Sequence, residues 1–288
     1  EEQQHKMSAA VRDEVFCWHY GSASFVIAEI FFHIQQAGIP EKENSLRGFK
    51  RFMAAIFFLW VYPRSSGLLS TRFQMCQKYC QGQVLWTWIK RIESLKEKKI
   101  KWDDSLADPE KSAFVASIDG TDCKIWEPRA NHRYNVDKTF FSKKFAHAGI
   151  KYEIVLDILN AKCMSIVGPV KASVHDLNVF RIETKQKMLA MPGKKLIADS
   201  IYKPKESDNP EEMEMFAIPR TTDDSALKRF KSRVRCRHEG FNARIKQFAF
   251  LRDGYRGVDL EKHGWAFKAI CVIVQYQMDN GSPIFITN

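Results

Sequence analysis

From Val15 to about Leu95, apolar residues recur at helical spacing with little strand-like alternation. Turn residues interrupt the pattern at Gly38-Ile39-Pro40 and at Pro63-Arg64-Ser65-Ser66-Gly67. The first third is therefore predicted to be helical. Ser70 to Leu95 reads as two helices broken near Gln77 to Gly82, with Ser70 as an N-cap. The second keeps Val84, Leu85, Trp88, Ile89, Ile92 and Leu95 on one face and leaves Gln83, Trp86, Thr87, Lys90 and Arg91 largely outward. Residues 96–110 carry many charges and few apolar residues besides Trp102 and Leu106, the composition of a linker.

Beyond the charged stretch, short apolar runs take over. They are residues 114–118, 152–158 and 163–167, then, after helical spacing from Val174 to Met188, residues 195–198. Long helices are expected from Ser225 to about Leu251 and from Trp265 to Met278. Strands in the middle with helices alternating late predict a mixed α/β domain behind an all-helical region.

With 288 residues, 45% hydrophobic and 12% aromatic, the chain can bury a sizeable core, which excludes intrinsic disorder. Its 45 Lys and Arg against 34 Asp and Glu leave a formal charge of +11, favouring a polyanionic partner, nucleic acid first. Seven cysteines at irregular spacing form no disulfide framework and suit a reducing, intracellular compartment. The longest apolar run, Phe52 to Tyr62, falls short of the roughly 20 residues that span a bilayer, and no signal-peptide layout opens the chain, so no membrane association is expected. Cys76 and Cys80 lack a second Cys or His pair at finger spacing and are expected as buried thiols, not zinc ligands. The basic run from Lys96 to Lys101 suits nuclear import or phosphate contact, although such runs are more often solvated helix ends.

Three acids stand out by position. Asp119 is expected to close the first strand and Asp199 the later one, while Glu239 is the lone acid among nine Lys or Arg residues from Lys228 through Arg252. Aspartates at the ends of neighbouring strands converge only if a cation offsets their repulsion, and hard oxygen donors beside phosphates suit Mg²⁺ or Mn²⁺. The plain alternative is that both aspartates open turns. For Glu239 it is a surface ion pair with Arg235 one turn away, a contribution of about 0.3 to 0.5 kcal/mol. Helical spacing places Arg235, Asn242 and Lys246 beside Glu239, next to an apolar stripe of Val234, Phe241, Ile245 and Phe248.

Four segments together resemble the DDE superfamily transposases of the Harbinger/PIF type, in a branch found in protist and algal genomes. They are Ile118-Asp119-Gly120-Thr121-Asp122-Cys123-Lys124-Ile125; Gly168-Pro169 through Ser173-Val174-His175-Asp176-Leu177-Asn178-Val179-Phe180-Arg181; Ile197-Ala198-Asp199-Ser200-Ile201-Tyr202; and Arg237-His238-Glu239-Gly240-Phe241-Asn242-Ala243-Arg244-Ile245-Lys246-Gln247-Phe248. They fall in the family's order, and the resemblance runs from about residue 111 to the end.

The resemblance implies an RNase H-like fold over 111–288. Asp119, Asp199 and Glu239 would be the catalytic, metal-binding triad for two divalent cations, Mg or Mn. His175 and Asp176 would be an accessory pair, although Ser173 capping a helix with Asp176 at its third position explains them equally well. Two positions depart from the family's habit: Ile201 where Gly is common, and Gly240 where a larger residue is usual. Glycine inside a helix costs about 1 kcal/mol relative to Ala and would loosen the helix that carries Glu239.

Residues 1–95 are then expected to be a DNA-binding region with a helix-turn-helix at about 70–95. Gln83, Thr87, Lys90 and Arg91 would contact DNA there, and Arg235, Arg237, Asn242, Arg244 and Lys246 would do so on the Glu239 helix. A bland helical hairpin with a basic face gives the same pattern. Partners implied by the resemblance are double-stranded DNA, a second copy of the chain and, in some relatives, a Myb-like accessory protein, with the nucleus as the compartment. The reaction implied is metal-assisted cleavage and strand transfer. The rivals are a domesticated DNA-binding protein that no longer cuts and a plain cellular nuclease.

Overall fold

The computed structural model describes residues 9–78, 82–127, 129–130, 135–159, 161–204 and 210–284. Its helices are α1 (Ala9–Tyr20), α2 (Ser24–Gln36), α3 (Leu46–Val61), α4 (Ser66–Phe73), α5 (Gln83–Ser94), α6 (Lys96–Lys99), α7 (Asp176–Phe180), α8 (Thr184–Leu189), α9 (Pro210–Glu214), α10 (Ser225–Ile245), α11 (Ala249–Arg252) and α12 (Leu260–Asp279). Strands are β1 (Phe114–Lys124), β2 (Arg129–Ala130), β3 (Asn135–Val136), β4 (Phe141–Ser142), β5 (His147–Asp157), β6 (Cys163–Lys171) and β7 (Lys195–Ile197).

The main sheet is mixed. β5 lies antiparallel to both β1 and β6, short β4 continues beside the start of β5, and β7 joins β1 in parallel after the α7–α8 crossover. β5 is buried along nearly its whole length, as expected of a strand covered on both faces, and the burial takes in the charged Lys151 and Glu153 as well as its apolar residues. One face of the sheet meets α10, α12 and the front helices, where Tyr152 stacks on Phe267 at 3.7 Å between ring centroids. The other carries Leu177, Phe180, Met188 and Phe216.

The front helices share the first of these cores. Trp88, Ile89 and Ile92 of α5 are buried with Phe52 of α3 and with Phe267 and Ile270 of α12, and Trp88 lies 5.9 Å from both Phe31 and Phe52. The charged stretch 96–110 is tied down at both ends. It begins as α6, where Lys99 reaches Asp279 at 2.9 Å, and the buried Lys194 donates to the carbonyls of Asp108 (2.5 Å) and Lys111 (2.9 Å). Among the described residues no single helix is long and apolar enough to cross a membrane; the α1–α2 pair has the composition but bends by 59°.

Several expected boundaries shift. β1 continues past Asp119 to Lys124, because its antiparallel ladder with β5 runs on through Asp119↔Ile154 to Lys124↔Gly149, so Asp119 is mid-strand and does not close it. Ser70 lies inside α4 and donates to Met75 O, and Ser65 provides the N-cap. His175, not Ser173, caps α7, accepting from Leu177 N at 3.3 Å. The helix expected from 174 to 188 is two short ones, and the long basic helix ends at Ile245, where extended Phe248 turns into the core. Gly240 leaves α10 unbroken. Cys76 is exposed, one residue beyond the turn that follows the left-handed cap at Gln74; Cys80 lies outside the described residues.

The shared core predicts that Trp88→Ala lowers stability by about 3–5 kcal/mol, the usual cost of deleting a buried Trp side chain. Urea unfolding followed by far-ultraviolet circular dichroism checks this; a loss under 1 kcal/mol, on the order of a surface change, would mean that α5 is not integral to the core.

Candidate active site

Strand register brings the two aspartates together. β7 pairs with β1 in parallel through Ser117↔Ile197, and Asp119, two residues further along β1, lines the same cleft as Asp199, which lies two residues past Ile197, just beyond the end of β7. On that face of β1, Ser117 Oγ meets Nδ1 of buried His238 at 3.1 Å, which sets the height of α10 and places Glu239 one residue beyond. Asp119, Asp199 and Glu239 line a single cleft of about 220 Å³ with Ser117, Lys144, Arg235 and His238.

Asp119 is partly buried, and its Oδ2 accepts from Asn242 Nδ2 at 3.2 Å. Burial pushes its carboxyl up to about 6, against the pull of the Lys144 ammonium and with the added repulsion of Asp199 and Asp176. Asp199 is also a turn-former, its Oδ1 accepting from Ile201 N at 2.8 Å. Glu239 is exposed and, among the described residues, makes no ion pair with Arg235 or any other cation.

As placed, no group of three or more His, Cys, Asp or Glu among the described residues is arranged to hold a metal ion. The chemistry of the cleft nevertheless fits a hard cation. Its acids are oxygen donors, the charge on Asp119 is disfavoured without a counter-charge, and Asn242 Oδ1 beside it is a buried acceptor with no donor.

The accessory pair lies elsewhere. Asp176 is buried on the opposite face of β1 and forms an ion pair with Lys151, which also donates to Val174 O at 2.7 Å; His175 is exposed. Gly120 permits this approach, since a Cβ there would come within 3.0 Å of the Asp176 carboxylate.

The expected DNA contacts divide. Arg237 is 1% exposed and donates to the carbonyls of Ile158 and Leu159, because its position on α10 faces the sheet. Arg244 holds the carbonyls of Ser282 and Pro283, Asn242 holds Asp119, and Lys246 is half-buried near Cys123. Arg91 pairs with Glu43. Gln83, Thr87 and Lys90 remain on an open cleft with Trp86, Lys262 and Trp265, and Arg235 faces both the acid cleft and a neighbouring one lined by Arg220 and Lys228. Lys144, which donates to Gly120 O at 2.9 Å at the edge of the acid cleft, carried no signal in the sequence beyond a lysine doublet.

A mixed sheet that gathers an aspartate within one strand, an aspartate just past the end of its neighbour and a helix-borne glutamate beside basic side chains describes a nuclease-type α/β domain. The family model of the DDE superfamily endonucleases matches residues 118–275, which holds all three acids, and the chain belongs to that family. No curated protein and no solved structure matched the chain.

Behind the site, burial holds Glu153 protonated up to about 8, with Thr184 Oγ1, donating at 2.6 Å, opposing that shift and Asp176 adding to it. Burial also depresses His238 and His263 to about 3. Between about pH 4.5 and 8 the folded state holds a proton on Glu153 that the unfolded chain has lost, so stability declines with rising pH there. The histidines act oppositely but only below about 6.5, where the unfolded chain binds protons that the fold excludes. Stability is therefore expected to fall from pH 6.5 to about 8, and Glu153→Gln to flatten that slope. Denaturant midpoints at both pH values measure it, and equal slopes for the two proteins would refute the assignment.

Proposed function

We propose that this chain is a transposase-type endonuclease of the Harbinger/PIF branch, with an RNase H-like catalytic domain, that cleaves DNA strands and joins the freed 3′ ends to target DNA. The observation that carries the reading is the meeting of Asp119, Asp199 and Glu239 in one cleft inside the family-matched region. These three would hold two divalent cations, Mg or Mn, which when bound would activate the attacking oxygen and stabilise the leaving oxygen of an in-line displacement at phosphorus.

The protein's own groups would position the strand. Lys144 and Arg235, on the cleft wall, would offset the charge of the scissile phosphate, and Asn242 would hold the Asp119 carboxylate in place. Arg220 and Lys228, in the cleft that shares Arg235 and Glu239, would carry the flanking backbone with salt-sensitive, sequence-tolerant affinity. The α4–α5 region would add helix-turn-helix contacts through Gln83, Thr87 and Lys90, and a second copy of the chain would pair the two element ends in the nucleus.

Purified protein with Mn²⁺ and supercoiled plasmid tests this. Wild type is expected to nick, and Asp119→Ala and Glu239→Ala to lose at least about a hundred-fold in rate, the usual scale for removing one electrostatic group from a site. If all three behave alike while still binding DNA, the chain is a domesticated DNA-binding protein. Nicking by wild type without preference for element ends would favour a plain nuclease.

A further inference from the structure

At the edge of the sheet opposite the acid cleft, a second cleft of about 510 Å³ opens between the α6 segment, β6, α8 and α12. Its walls hold Lys96, Lys101, Lys187 and Lys268 against only Glu97 and Glu183. Two of the lysines are already satisfied. Lys96 pairs with Glu93 at 2.5 Å and Glu97 at 3.5 Å, and Lys187 with Glu183 at 2.6 Å and Ser165 Oγ at 2.9 Å.

The other two are not. Lys101 is exposed and Lys268 half-buried, and neither has a hydrogen-bond or ion-pair partner among the described residues. Burial and the neighbouring Lys96 ammonium lower the Lys268 pKa, although Glu93, Glu183 and Glu97 pull it back. An independent observation agrees: Trp102, on the same wall, has its indole Nε1 buried with no acceptor. Donors without acceptors, and a half-buried cation with carboxylates nearby but no direct ion pair, describe a site that one multivalent oxyanion would complete.

We propose that this cleft binds a phosphate group, held chiefly by Lys268 and Lys101. It is separate from the acid cleft, since β5 and β1 lie between β6 and β7. Two sources offer that chemistry: a backbone phosphate of DNA running past the far edge of the sheet, which rests on the endonuclease reading above, and a free polyphosphate, which does not.

Two measurements on the full chain separate them. In the first, thermal unfolding is followed with sodium tripolyphosphate against NaCl of equal ionic strength. Wild type is expected to gain stability beyond the salt control, and Lys268→Met and Lys101→Ala to lose that gain. In the second, affinity for a DNA duplex is titrated against salt in EDTA, where each phosphate contact contributes a slope of about −0.9 in log K against log salt. If DNA is the source, each variant's slope becomes shallower by roughly one contact. Loss of the tripolyphosphate response with unchanged DNA slopes assigns the site to a free polyphosphate. Failure of wild-type protein to bind DNA at all would count against the endonuclease reading while the tripolyphosphate arm still decides the cleft. If both variants match wild type in both measurements, no phosphate site exists there. Lys101→Ala guards against misfolding, because its side chain is exposed and supports nothing in the fold.

Discussion

The parallel pairing of β7 with β1 is the constraint on which the rest turns. β1 is already fixed along its length by antiparallel pairing with β5, so a strand only three residues long suffices to bring Asp199 into the same cleft as Asp119. Ionising Asp119 there costs energy: burial raises its carboxyl first of all, and the neighbouring Asp199 adds to that shift. The sheet tolerates it because the strain is confined to one end: Ile197 and Ala198 just before Asp199 are fully buried, and the turn at Ser200–Tyr202 is fixed by the Asp199 side chain and buried Tyr202. Like charges held together by a core that does not yield form a site that a cation would complete.

α10 then serves two faces at once. Val234, Phe241 and Ile245 bury one stripe, and buried polar residues join it, His238 on Ser117 and Arg237 on the carbonyls after β5. These contacts leave the helix little freedom to rotate, so Arg235 and Glu239 face the clefts. Arg237 has the composition of a DNA contact and the position of an anchor. A guanidinium with fixed, forked donors is suited to that use, satisfying backbone carbonyls beyond the end of a strand.

The class of the fold and the order of its elements were legible in the sequence, since helical spacing up to Leu95 and apolar runs after it depend only on local pattern. Asp119, Asp199 and Glu239 could be singled out because two are acids at the expected ends of strands and the third stands alone in a basic helix, although β1 runs on past Asp119. What could not be read depends on contacts distant in sequence. Residues 96–110 look like a linker by composition, yet Lys99 meets Asp279 and Lys194 reaches back to Asp108 and Lys111, pairings no local pattern encodes. Lys144 and the Lys151–Asp176 pair were invisible for the same reason. The extension of β1 past Asp119 was hidden by its polar residues, because Asp122 is buried and accepts from Ser142 Oγ at 2.5 Å, a position that reads as a loop until β4 is in place.

Charge shows the same division between what a sequence supplies and what contacts decide. A formal +11 is a sound basis for long-range attraction to a polyanion, since distant fields sum over all charges. It is a poor guide to which cations touch that polyanion. Lys151, Lys194, Lys231 and Arg237 are all buried, each with its donors on backbone carbonyls, on Asp176 or on Asp223, and none can reach a ligand. Other cations line cleft walls, Arg220, Lys228 and Arg235 at one edge of the sheet, where Lys228 also donates to Thr221 O at 2.7 Å, and Lys101 and Lys268 at the other. A basic residue becomes a candidate ligand contact only where the fold leaves its charge facing a cleft.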